Sequence, residues 1–91
     1  MTVILSAKAS RQLEDLLTYL EEEWSPQSRR KFQVRLHRFL EIIKSRPKAF
    51  PVSEKFGGAR KCVVSPQTSL YYRTKGEIVE IISVQANRQD F

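Results

Sequence analysis

The side chains best equipped for chemistry sit in the C-terminal third: Arg60, Arg73 and Arg88, with Tyr71 and Tyr72 among them. Guanidinium groups that converge on one point can each donate two parallel hydrogen bonds to phosphate oxygens, so three arginines on one face would make a phosphate or acidic-partner site. Other chemistries find little support. His37 is the single histidine and Cys62 the single cysteine, and Glu21-Glu22-Glu23 is a consecutive run with the look of a solvated helix end. No metal site is expected from such a set. Gly57-Gly58 lacks the Lys-Ser/Thr that completes a phosphate loop, so no nucleotide cofactor is expected either.

Whether the arginines converge depends on the elements that carry them. Thr2 to Leu5 is a short β-branched segment and reads as a strand; Ser6 follows with an oxygen able to cap a helix. Ala9, Leu13, Leu16, Leu17, Leu20 and Trp24 then recur on one helical face. Ser25-Pro26 restarts the helix, because proline at the first position gives up only an amide that would be unpaired anyway. Phe32, Leu36, Phe39, Leu40 and Ile43 make a second apolar stripe, and so short a link requires two antiparallel helices.

Pro47, Pro51 and Gly57-Gly58 mark residues 45–59 as a connecting loop. Beyond it, Arg60 to Ser65 reads as a strand, Pro66-Gln67-Thr68 as a turn, Ser69 to Thr74 as a strand, Lys75-Gly76 as a hairpin turn and Glu77 to Val84 as the last strand. The predicted architecture is α+β, in the order β-α-α-β-β-β, one domain over residues 1–91. The helical hairpin packs on one face of a small, mostly antiparallel sheet. Strand alternation turns Leu70 and Tyr72 toward the helices and Ser69, Tyr71 and Arg73 toward the open face. For the preceding strand, alternation does not decide which of Arg60, Cys62, Val64 or Lys61, Val63, Ser65 is open. Cys62 is expected to be a small buried residue, and His37, off the apolar stripe, to be solvated.

The net charge of +6 is unevenly spread. Residues 1–24 hold two bases against five acids, whereas residues 29–48 hold eight bases against Glu41 alone. Such a basic stripe suits an acidic partner, nucleic acid or protein. No apolar run approaches the ~20 residues of a membrane span. The opening Met1 to Leu5 lacks the basic start and long apolar core of a secretory signal, so a cytoplasmic location without membrane association is expected.

Leu5-Ser6-Ala7 followed by Ala9 and Leu13, the hairpin, the proline-containing loop, Arg60 opening the second strand and a tyrosine closing the third resemble the RelE/ParE superfamily in order and spacing. The resemblance covers nearly the whole chain. It implies the growth-inhibiting toxin of a type II toxin–antitoxin pair, of the kind involved in plasmid stabilisation. The partner it implies is a cognate antitoxin that wraps a partly disordered segment over the toxin, and Tyr71, Arg60, Arg73 and Arg88 are the expected contacts.

RelE-like members cut messenger RNA on the ribosome; ParE-like members poison DNA gyrase. In a nuclease reading Arg60, Arg73 and Arg88 would be the catalytic cations. Yet the next basic position of the RelE pattern falls on Cys62, its third-strand arginine on Ser69, and Phe91 ends the chain without a titratable group. Attack by a 2′-hydroxyl needs a base, an acid and positive charge on the crowded phosphate, each contributing ~10²–10⁴. Serine stabilises no dianion. Tyr71, Tyr72 and Glu80 could be offered as acid or base, but Tyr72 is expected in the core and an unperturbed tyrosine titrates near ~10. The resemblance thus leans toward a gyrase poison, with a ribosome-dependent endoribonuclease, an inactive toxin or a basic binding module as alternatives.

Overall fold

The computed structural model describes residues 1–87. Its elements are β1 (Thr2–Leu5), α1 (Ala7–Tyr19) prolonged by one wider turn over Leu20–Trp24, α2 (Pro26–Ser45), a short 3-10 turn at Lys55–Gly57, β2 (Arg60–Ser65), β3 (Thr68–Lys75) and β4 (Ile78–Ala86). The order is the expected β-α-α-β-β-β. Both predicted caps form: Ser6 Oγ accepts from the Ala9 amide and Ser25 Oγ from the Ser28 amide, each at 3.0 Å. The wider turn closes when the Ser25 amide donates to the Leu20 carbonyl at 2.9 Å, an i to i+5 bond of the π type. It lets Pro26 start α2 at once.

The sheet runs β1-β4-β3-β2, with β1 parallel to β4 and the other pairs antiparallel. Leu70 faces Cys62 and Val84 across its neighbours, while Tyr72 faces Arg60 and Ile81. These form one face, and Ala9, Phe32 and Ile43 from the helices close over it to make the core. Arg60, Cys62 and Val64 therefore point toward the helix side, which alternation alone left undecided. Leu13, Leu16, Leu36, Phe39 and Leu40 border this core as half-buried residues.

Two local departures position the site. A bulge between Tyr71 and Tyr72 leaves Tyr71 opposite Ser83 but Tyr72 opposite Ile81, so Ile82 is unpaired and the alternation of β4 changes phase. Val79 and Ile81 enter the core before the bulge and Val84 after it. The other departure is at the edge, where β1 stops at Leu5 opposite Ile81 and α1 occupies the place a longer strand would take. There Gln12 Oε1 accepts from the Val84 amide at 2.7 Å and from Ser83 Oγ at 3.2 Å, and the Ser6 amide donates to the Ile81 carbonyl at 2.9 Å. A helix side chain thus completes the ladder of an otherwise open strand edge.

Candidate functional site

Tyr71 lies on the face away from the core, as alternation requires, but it is not open: its exposure is 2%. The connecting loop folds back over the sheet and lays the Phe56 ring on it, centroids 5.1 Å apart in an edge-on arrangement. Phe56 pays for that position with a left-handed backbone at φ 55, ψ 41, which disfavours a residue with a Cβ by ~1–2 kcal/mol. Gly57 and Gly58 continue at φ 68 and 88, conformations that glycine adopts without that penalty. A loop rich in proline and glycine gave no sequence signal that Phe56, the second of its two aromatic residues, would cap the sheet.

Around this pair stand three lysines. Lys8 Nζ is 5.0 Å from the Phe56 ring centre, and Lys55 and Lys61 Nζ are 5.7 and 6.0 Å from that of Tyr71. They come from the start of α1, the loop and β2, so only folding brings them together.

Of the predicted arginines, Arg60 and Arg73 do not meet. Arg60 faces the helix side, where its Nη1 donates to the Phe50 carbonyl at 2.7 Å. Arg73 lies on the opposite face, paired with Glu80 across β3 and β4 at 3.4 Å. Arg88 lies outside the described residues. Ser69, expected on the open face, is fully buried; its hydroxyl donates to Asn87 Oδ1 at 2.6 Å, and Asn87 Nδ2 reaches the Ser65 and Pro66 carbonyls at 3.3 Å. This network ties the end of β4 to the β2–β3 turn.

Two buried groups, Cys62 and Tyr72, are tuned away from neutrality. Burial pushes the Cys62 thiol up to about 12, so it is inert as a nucleophile. Tyr72 is raised above its ordinary 10.0, chiefly by burial, with the nearby Arg60 charge opposing the shift. Its hydroxyl donates to the Pro47 carbonyl at 2.6 Å and its ring meets Phe50 edge-on, which makes it a structural tie between the loop and the core. His37 is exposed, as its position off the apolar stripe implies.

On the helix side, a groove of about 890 Å³ opens between the hairpin tip and the ends of β3 and β4. Leu16, Leu20, Trp24, Phe32 and Val84 line it, together with Arg35, whose Nε donates to the Val64 carbonyl at 2.7 Å. Trp24 was placed on the apolar stripe by periodicity, yet it is 71% exposed at the rim. Tyr19 beside it is 51% exposed. Large aromatic groups left in water at a basic rim are the usual composition of a contact surface.

The sequence model of the ParE toxin of the type II toxin–antitoxin system parDE matches residues 3–91. The chain belongs to the ParE toxin family. It is therefore the toxin of a type II pair, and a cognate antitoxin is its partner. Among solved structures, a chain of the chromosomal ParDE system from P. aeruginosa is similar over 97% of each chain, with a TM-score of 0.80 and 14% identity. A copper-bound mutant toxin from Helicobacter pylori is similar over 96% of this chain and 94% of that one, with a TM-score of 0.69 and 14% identity. YafQ from E. coli follows at 93% and 91% coverage, a TM-score of 0.63 and 11% identity. At such identities these likenesses speak for the fold. No curated protein sequence matches the chain. Among the described residues no helix of this ParE-family toxin is long and apolar enough to cross a membrane.

Proposed function

We propose that this toxin acts in the cytoplasm as a poison of DNA gyrase rather than as a messenger RNA nuclease. The observation that carries the reading is the separation of Arg60 and Arg73 onto opposite faces of the sheet, each engaged by another protein group. Ser69, at the position of the nuclease arginine, is sealed in a hydrogen-bonded network, and neither Cys62 nor Tyr72 is tuned to exchange protons near neutral pH. Electrostatic stabilisation of a phosphorane needs cations already aimed at one point.

The antitoxin seat is the groove beside Trp24 and not the Tyr71 face, because Tyr71 is already covered by Phe56. Its occupant is an amphipathic antitoxin segment that sets apolar side chains against Leu16, Leu20 and Trp24 and acidic ones against Arg35 and Lys31. Purified toxin mixed with gyrase and supercoiled plasmid should trap cleaved DNA, and the same preparation should leave messenger on translating ribosomes uncut. Codon-site cleavage that disappears in Arg60→Ala would overturn the assignment. Expression alone should arrest a bacterial host, and co-expression of the antitoxin should rescue it.

A further inference from the structure

We propose that Lys8, Lys55 and Lys61 form a phosphate-binding patch through which the protein holds a nucleic-acid backbone. The patch lies on the sheet face opposite the apolar groove, and its test does not depend on gyrase being the target. The three ammonium groups gather over a single Phe56–Tyr71 pair, although they belong to three separate elements. Elsewhere Arg29, Lys44 and Arg73 each have a carboxylate within 4 Å: Glu21, Glu41 and Glu80. Among the described residues none of the three lysines has one. With no carboxylate to neutralise them, the three ammonium groups gain from an anion that reaches them together.

The chemistry of the patch selects phosphate over an acidic peptide. Lysine is a compact point charge that meets a phosphate without demanding a fixed geometry. A peptide anchor would need an open apolar pocket, whereas the two rings here are packed on each other and Tyr71 is buried. What the pair of rings presents to the outside is the charge of the three lysines, and backbone phosphates are held by charge without base reading. The left-handed backbone at Phe56 is the cost of assembling this cluster, and strain of that kind gathers at working sites.

The test is fluorescence anisotropy of the full chain with a labelled 20-base-pair DNA duplex and with a single-stranded RNA of equal length, titrated across potassium chloride concentration. Replacing all three residues, K8Q with K55Q and K61Q, should weaken duplex binding at least ~10-fold and reduce the salt slope by about 2.7, at ~0.9 per phosphate lost. The single change K55Q, in an exposed loop, should reduce the slope by about 0.9 and guards against misfolding of the triple variant. A charge-matched triple on exposed residues of α2 and the following loop, R38Q with R46Q and K48Q, should stay within ~3-fold of the parent protein if the patch, and not the general +6 charge, holds the backbone. Loss of DNA binding, of RNA binding or of both in the lysine triple, with the charge-matched triple unaffected, supports the patch and names its ligand. Equal losses in the two triple variants, an unchanged slope, or tighter binding of a polyglutamate than of either nucleic acid would overturn it.

Discussion

Replacing Gln12 by methionine should loosen the whole α1 edge. Methionine matches glutamine in length but offers no comparable acceptor. The Val84 amide then loses its 2.7 Å partner and the fully buried Ser83 hydroxyl its 3.2 Å partner. An unpaired buried donor costs ~1–3 kcal/mol; the serine hydroxyl can rotate toward another acceptor while the amide cannot, so the amide dominates and the expected loss is about 2 kcal/mol. For a domain of this size that is a fall of roughly 8–16 °C in melting temperature. Gln12→Glu keeps an oxygen acceptor at the same place and should melt much closer to the parent. Circular dichroism melts of the three proteins provide the comparison, and amide exchange at Val84 should accelerate in the methionine variant alone. A methionine variant melting within about 3 °C of the parent would show that the helix edge is held by apolar packing, and that the side-chain ladder contributes little.

Trp24→Ala should weaken antitoxin binding by ≥2 kcal/mol, about 30-fold or more, with little change in melting temperature because the indole is 71% exposed. Unchanged affinity in a calorimetric titration would move the antitoxin off the groove. The Cys62 thiol should resist a disulfide reagent at pH 8 in the native protein and react fully once denaturant is added. Its folded pKa of about 12 lies above the ordinary 9.0, so burial of the neutral thiol contributes stability that is complete below pH 9 and lost as pH rises toward 12. Cys62→Ala should flatten part of that alkaline loss in denaturant titrations run at stepped pH, and a slope identical to the parent's would count against the assignment. Tyr72→Phe should cost about 1 kcal/mol, since it removes the 2.6 Å bond to Pro47 and leaves the ring packed; melting unchanged at neutral pH would show that the loop needs no such tie.

Periodicity and punctuation were enough for the elements and their order. The apolar stripes from Ala9 to Leu20 and from Phe32 to Ile43, Ser6 and Ser25 as caps and Gly76 at the hairpin turn are local signals that act within a few residues, and the structure obeys them, Trp24 alone leaving its stripe for the rim. The likeness to the RelE/ParE superfamily rests on that same order, and the family match over residues 3–91 agrees with it. What the sequence could not determine was which side chains meet. Alternation assigned faces correctly along β3, yet it treated an outward-facing Tyr71 as exposed, because nothing local says that Phe56, fifteen residues earlier, folds over it. It likewise left Arg60 free to join Arg73, because the facing of β2 depends on its register with β3, and placed Ser69 in water, because Asn87 reaches it only after the sheet closes. Register, the bulge at Ile82 and the loop's return are set by contacts between residues far apart in the chain. The sequence by itself determined an α+β toxin scaffold with a basic surface; the tertiary structure alone decided that three lysines gather over an aromatic pair and that Arg60 and Arg73 part to opposite faces of the sheet.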